Sequence, residues 1–330
     1  MTISTTMRAL RQTTLDGPQD LRLIDDVPVP TPGRGEVLIR VGAAGVNFAD
    51  VMQTHGTYGG GPQAPYLAGF EAAGTVVALG PGVTSRTIGD RVIGAGPGAF
   101  AEYMLMPASA TLPVPAGWAD EQALGLVLNW ATALAALKPL GRLTEGETVL
   151  VTAAAGGVGQ AAVTMAKHYG ATVIATASPS KHDTVRALSA DHVLDHRAAD
   201  IASEVRRLTG DVGADLVLES VGGNTFGASL TAARRITGRV VVYGNAAGAA
   251  ALTTHKLVFE QQVQVIGLHI GVLAEAAPQL FAGLMAELDA LISAGVYRPG
   301  RPTVFDLADG PRILARMQNG LTVGKLALRP

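Results

Sequence analysis

At 330 residues the chain is long for one hydrophobic core, so two domains are expected. Hydrophobic residues make up 48% and charged residues 16%, the balance of a packed globular α/β protein and not of a disordered chain. A net charge of −2 with scattered Lys and Arg excludes the electrostatic footprint of a nucleic-acid binder, and the absence of cysteine excludes disulfides, thiolate nucleophiles and cysteine-ligated zinc.

Residues 7–128 read as β-rich. Short strands are expected at Met7–Gln12, Leu21–Asp26, Val37–Val41, Gly74–Leu79, Arg91–Ile93 and Phe100–Leu105. Pro and Gly clusters such as Pro28-Val-Pro-Thr-Pro-Gly33, Gly59-Gly-Gly-Pro62 and Pro81-Gly82 punctuate them. That spacing predicts a partly open barrel with few helices. From Leu124 the texture turns helical, and from Glu147 strands and helices alternate.

The first alternating unit is the most informative. An apolar, β-branched run from Val149 to Thr152 stops at a small-residue turn. A helical pattern follows with Val158, Ala162, Met165 and Tyr169 on one side, ends at Gly170, and gives way to a strand over Ala171–Thr176. Strand, glycine turn, helix and strand within about 30 residues is the context of a dinucleotide-binding turn. Ala155, Gly156, Gly157 and Val158 present backbone N–H groups at the helix start, where unpaired donors and the helix dipole attract a pyrophosphate. The pattern is Ala154-x-Gly156-x-x-Gly159, with alanine where the first glycine usually sits. Gly156 permits close approach to the phosphates and Gly159 close packing of helix on strand. An ordinary crossover whose glycines serve packing alone is the competing reading.

A helix from Ser180 to Ser189, a strand at His192–Leu194 and a helix at Ala199–Leu208 come next. A strand at Asp215–Glu219, a helix at Thr225–Arg235, and strands at Arg239–Tyr243 and Val263–Leu268 complete the series. Six strands with helical crossovers predict a doubly wound parallel sheet. Helices near Ala274–Ala294 and Pro311–Gln318 lead to a strand at Lys325–Leu328, in a tail expected to return to the first domain. The expected division is therefore 1–128 completed by 271–330, and 129–270.

The second strand of the alternating series ends in Ala175-Thr-Ala-Ser-Pro-Ser-Lys181, with no acid before Asp183. An acid there would hold the ribose 2′-hydroxyl of NAD and repel a 2′-phosphate, whereas Ser178 and Lys181 can donate to one. NADPH is the expected cofactor, although Ser178 or Ser180 can equally cap the next helix. The seven histidines include one HxxxH spacing, His192 and His196, but no HExxH, so no metal is expected. No uninterrupted apolar run reaches the roughly 18 residues of a membrane span. Residues 1–7 lack a basic region followed by an apolar core, so a cytoplasmic protein without a membrane partner is expected.

Several stretches taken in order resemble the zinc-free NADPH:quinone oxidoreductase branch of the medium-chain dehydrogenase/reductase superfamily. They are Gly45-Val-Asn-Phe-Ala-Asp50 with Gly56-Thr-Tyr58, Gly69-Phe-Glu-Ala-Ala-Gly74, Ala153-Ala-Ala-Gly-Gly-Val-Gly159, Ser220-Val-Gly-Gly223 and Gly320-Leu-Thr-Val-Gly-Lys-Leu-Ala-Leu-Arg-Pro330. The resemblance implies a GroES-like barrel beside a Rossmann sheet, a small-molecule acceptor and a homodimer. Asn47 stands where zinc-dependent relatives carry a cysteine, and Phe70 where they carry a histidine. Without a metal to polarise a carbonyl, electron-poor acceptors such as quinones are favoured. Glu71 is then read as structural.

Residue roles follow from the same resemblance. Asn47, Tyr58 and Thr132 match positions lining the nicotinamide and substrate, with Tyr58 and Asn47 expected to polarise the acceptor. Ser220, and Tyr243-Gly244-Asn245-Ala246 at the end of the fifth strand, match cofactor contacts, as do Leu268, His269 and Ile270 at the end of the sixth. His196 replaces a common tyrosine near the adenine ribose, and Lys325 is placed within reach of the cofactor. Two other activities stay open: reduction of a 2-alkenal or enoyl thioester, and dinucleotide binding in a structural or regulatory role without turnover.

Overall fold

Short alternating strands at the front of the chain and continuous apolar strands in its middle form separate sheets. The computed structural model describes residues 3–197 and 200–330. It divides into two compact units, residues 1–128 with 299–330, and residues 129–298.

The first unit begins with β1 (Thr6–Gln12), β2 (Leu21–Pro28), β3 (Glu36–Val46), β4 (Tyr66–Leu67), β5 (Glu71–Leu79), β6 (Arg91–Ala95), β7 (Tyr103–Pro107) and β8 (Thr111–Pro113). The second unit carries β9 (Thr148–Val151), β10 (Thr172–Ala177), β11 (His192–Asp195), β12 (Leu216–Glu219), β13 (Arg239–Val242) and β14 (Gln264–Gly267). The chain ends with β15 (Thr303–Asp306) and β16 (Leu326–Arg329).

In the first unit β2-β1-β4 make a three-stranded sheet, and β15-β16-β3-β5-β6-β8 run in order through a seven-stranded one in which β7 also pairs with β3. β3 is central, and Val37, Ile39 and Val41 pack with Phe100, Met104, Met106, Leu314 and Leu328. β16 runs antiparallel to β3 and parallel to β15, so the tail does return to the first unit.

The second unit holds one parallel sheet in the order β11-β10-β9-β12-β13-β14. The order reverses between β9 and β12, the switch point at which a doubly wound sheet opens a crevice at its carboxyl ends. Val149, Leu150, Val151, Leu216, Val217 and Leu218 are fully buried, which is why these strands read as continuous apolar runs.

The differences from expectation are local. β4 and β8 are too short to show periodicity, β15 was not expected, and the strand expected from Phe100 starts at Tyr103 because Phe100 turns into the core. The helix expected over Ser180–Ser189 breaks into a turn at Pro179–Lys181 and a short helix at His182–Arg186, and Ser189 takes a left-handed φ of 68°. The helix expected from Ala199 is described over Ile201–Leu208; Ala199 itself lies outside the described residues. The helix Pro278–Ser293 buries Leu284, Leu288 and Leu291, and the second unit accordingly extends to Arg298, beyond the expected boundary at 270. Asp120–Leu140 is long and apolar enough to cross a membrane by length and composition, but 67% of its apolar window is buried inside the protein, as a core helix is.

Candidate functional site

In the second unit, β9 is followed by the buried Thr152, whose hydroxyl donates to Leu218 O and accepts from Ser220 N at 3.1 Å. The chain turns at Ala153, which holds a left-handed φ of 48°. The sharp turn thus falls one residue before Ala154, the position the sequence pattern suggested. Gly156 N donates back to Ala153 O at 3.0 Å, and the helix Gly157–His168 begins with its first N–H groups unpaired along the axis.

The glycines of this turn do different work. A Cβ on Gly159 would lie 2.5 Å from Ala153 O and 2.6 Å from Ala154 Cα, so Gly159 lets the helix lie on the turn. Gly156 has an ordinary φ of −82°, and a Cβ there would meet only Ala153 O, at 3.4 Å. Neither backbone conformation nor packing requires glycine at 156. It keeps open the space in front of the helix start, which fits a pyrophosphate approaching Ala155, Gly156, Gly157 and Val158. A Cβ on Gly157 would instead press on the Asn129 side chain at 3.0 Å.

Ser178 and Lys181 follow β10, both half-buried. Ser178 precedes the Pro179–Lys181 turn without a side-chain capping bond, so its hydroxyl is not spent on the helix. Burial, and then the neighbouring Arg197 guanidinium, hold the Lys181 amine below its usual range. Arg197 is a second cation beside Lys181 that nothing in its local sequence announces. Asp183 is paired with Arg186 on the exposed side of the next helix. The acid opposite Ala177 is Asp195 on β11, which accepts Arg197 N at 3.0 Å. His196 Nδ1 lies 3.9 Å from Asp195 Oδ1.

At the switch point, Ser220 O accepts Ala246 N at 3.1 Å, and a Cβ on Gly244 would lie 2.8 Å from the same oxygen. Burial pushes the Tyr243 phenol up to about 12 while a hydrogen bond with Ser220 pulls it down. Asn245 O accepts Gly248 N at 2.8 Å, closing the loop after β13. Under this loop the buried Glu219 carboxylate accepts Val221 N at 2.7 Å, Gly222 N at 2.8 Å and the Ser229 hydroxyl. Leu268 N donates to Val242 O at 2.8 Å. His269 caps the helix starting at Ile270, its Nδ1 accepting Val272 N at 3.2 Å. Thr132 is buried in the apolar helical stretch.

The first unit gathers a polar cluster that the sequence scatters. Glu71 is fully buried; its Oε1 accepts Gly125 N at 2.6 Å, and its Oε2 accepts Asn47 Nδ2 at 3.1 Å and Lys325 Nζ at 2.5 Å. Lys325 Nζ also donates to Asn47 Oδ1 at 2.7 Å. The second Nδ2 hydrogen of Asn47 goes to Gly45 O at 3.3 Å. A Cβ on Gly45 would sit 2.2 Å from Glu71 Oε2 and 3.0 Å from Lys325 Cε, so this glycine makes the space that the ion pair fills.

Asp50 closes the cluster. Asn47 N donates to its Oδ2 at 2.7 Å, an N-terminal cap for the helix Phe48–Thr54. Its buried Oδ1 has no protein partner, and neither has the buried Tyr66 hydroxyl. Burial pushes the Asp50 carboxyl up to about 8, with the Asn47 amide and Lys325 opposing and Glu71 adding to the rise. Burial also raises the Tyr58 and Tyr66 phenols, and the Asp50 charge adds to both. Tyr58 stacks on Phe70 with ring centroids 6.5 Å apart. Among the described residues no group of three or more His, Cys, Asp or Glu side chains is placed to hold a metal ion.

Two family models match the chain: the alcohol dehydrogenase GroES-like domain over residues 33–116, and the zinc-binding dehydrogenase over residues 157–288. The human synaptic vesicle membrane protein VAT-1 homolog is 33% identical over 319 residues, covering 91% of this chain and 80% of that protein. A mycobacterial protein, Rv1454c, solved with NADPH is 35% identical with a TM-score of 0.92, over 98% of this chain and 100% of that one. The Escherichia coli quinone oxidoreductase solved with NADPH is 28% identical with a TM-score of 0.91, over 98% and 100%. With a GroES-like unit, a doubly wound dinucleotide sheet and these relatives, the chain belongs to the medium-chain dehydrogenase/reductase superfamily, in the branch of the NADPH:quinone oxidoreductases.

Proposed function

We propose that the protein is a cytoplasmic, homodimeric NADPH-dependent oxidoreductase that reduces a quinone or a similar electron-poor small molecule. The observation that carries the reading is the open space at Gly156 in front of a helix start, followed by a strand end with Ser178, Lys181 and Arg197 and no acid on that strand. Bound NADPH supplies a hydride at C4 of its nicotinamide. The backbone amides of Ala155, Gly157 and Val158 hold the pyrophosphate, Gly156 N being turned back onto Ala153 O, and Lys181 with Ser178 and Arg197 holds the 2′-phosphate. His196 stacks on or donates to the adenine ribose. The loops at Ser220, Tyr243–Ala246 and Leu268–Ile270 line the cofactor, with His269 acting through its backbone because its ring caps a helix. Thr132 lines the nicotinamide.

Tyr58, stacked on Phe70 and half-buried, is the proton donor to the acceptor. Asn47 positions the cluster around Glu71. The homodimer reading is supported by β14, an edge strand whose Val265 is 37% exposed, beside a helix, Ile270–Ala276, with no buried residue.

The test is NADPH oxidation with a quinone, an enone and an enoyl thioester side by side, after titration of NADPH and NADH. Tight NADPH binding with fastest turnover on the quinone is expected. Faster turnover on the thioester assigns the enoyl reductase activity instead, and NADPH binding without turnover on any acceptor assigns a binding protein.

A further inference from the structure

The donors of the polar cluster around Glu71 can be counted. Asn47 has two amide hydrogens, and both are committed, to Glu71 Oε2 and Gly45 O. Its carbonyl oxygen accepts from Lys325. The Asn47 side chain therefore has no hydrogen left for an acceptor's oxygen. Lys325 differs. An ammonium carries three hydrogens, and two are committed, to Asn47 Oδ1 and Glu71 Oε2. The side chain is 13% exposed, so the third hydrogen belongs to a group that is held firmly yet open.

The ammonium has one fixed counter-charge. Glu71 is fully buried and satisfied on both oxygens, so it fixes the ammonium and compensates it once. Asp50 also faces Lys325, with the phenols of Tyr58 and Tyr66 beyond it. Phenols are neutral at neutral pH, and burial, raising the Asp50 carboxyl to about 8, keeps that acid mostly protonated. The ammonium is thus partnered by one carboxylate and not by two. Such a donor, held before the ligand arrives, suits an oxygen on which negative charge collects.

We propose that Lys325 Nζ is the donor that receives the acceptor's oxygen and stabilises the negative charge formed there on reduction. The proposal rests on the quinone reductase reading above. A quinone that takes up one hydride, a proton with two electrons, becomes a hydroquinone monoanion while NADPH is oxidised to NADP+. One further proton, delivered by Tyr58 and restored to it from solvent, gives the neutral hydroquinone. Lys325 keeps its own protons throughout. In this arrangement Asn47 is a positioning residue, and Gly45 provides the room in which the ammonium and the Glu71 carboxylate meet.

The probe is 4-nitrophenol, whose absorbance reports the ionised fraction of the bound molecule without turnover. Wild-type protein loaded with NADP+ is expected to bind the phenolate in preference to the phenol. Lys325→Met alone strands the buried Glu71 charge and endangers folding, so the informative variant is Glu71→Gln/Lys325→Met, a neutral pair of similar size. It is expected to lose phenolate affinity roughly ten- to a hundredfold, the range of one charge-assisted hydrogen bond, with NADPH affinity changed less than about threefold. Lys325→Arg is expected to recover part of the phenolate preference. Equal phenolate affinity in wild type and the double variant overturns the proposal, as does a tenfold loss of NADPH affinity, which places Lys325 on the cofactor. Phenolate capture through Lys325 in a protein that reduces no quinone leaves this inference standing and removes the acceptor assignment.

Discussion

Gly45 and Glu71 exclude one another's growth: a Cβ on Gly45 would stand 2.2 Å from Glu71 Oε2, inside the space the carboxylate uses to hold Lys325. Gly45→Ala is expected to push the ion pair apart and to destabilise the protein by roughly 1–3 kcal/mol, the usual cost of overpacking. Thermal denaturation checks it. An unchanged melting temperature with unchanged phenolate binding means that the pair tolerates displacement.

The two glycines of the phosphate turn separate binding from folding. Gly156→Val is expected to reduce NADPH affinity by more than tenfold with the melting temperature nearly unchanged, because the site faces open space. Gly159→Ala is expected to do the reverse, since its Cβ would meet backbone at 2.5 Å. Parallel calorimetric titration and melting curves read both. A collapse in stability of the Gly156 variant assigns that glycine to the fold.

Lys181→Ala is expected to raise the dissociation constant for NADPH roughly ten- to a hundredfold and to leave NADH nearly unchanged, because only NADPH carries a 2′-phosphate. Arg197→Ala is expected to act in the same direction, and the two losses combine less than additively because the Arg197 charge holds the Lys181 amine down. Ala177→Asp is expected to reverse the preference by placing a carboxylate at the strand end. Fluorescence titration of both cofactors decides. Equal losses for NADPH and NADH in Lys181→Ala place the lysine elsewhere.

Asp50 makes stability depend on pH. Its folded-state value is raised from 3.8 to about 8, so the native protein binds a proton that the unfolded chain has released between those limits. The contribution is fully present below the unfolded value and is lost as pH rises through the folded one. Asp50→Asn keeps an acceptor for Asn47 N and removes the titration. Wild type is therefore expected to lose stability relative to Asp50→Asn from about pH 4 to about pH 8, with no further change above. Melting curves of both proteins across that range check it, and a constant difference removes the buried neutral carboxyl.

The six parallel strands, the glycine turn and the missing acid after β10 were readable because each depends on neighbours in sequence. A fully buried strand must be apolar throughout, as at Val149–Val151 and Leu216–Leu218, and a helix start must leave its first amides unpaired. The left-handed φ at Ala153 was not readable, because alanine there gives no glycine to mark it. The short strands β4 and β8 were invisible for want of two periods to count.

Tertiary structure decided what the polar residues do. Lys325 and Asn47 are 278 positions apart, and only the antiparallel pairing of β16 on β3 brings the ammonium to the amide. Glu71, read as merely structural, became the fixed counter-charge of that cluster, and Asp50 became a neutral acid through burial. Arg197 reached Lys181 through the parallel pairing of β11 with β10. Local sequence sets the torsions and burial periodicity of each element, but desolvation and charge pairing belong to residues that meet only once the sheets have formed.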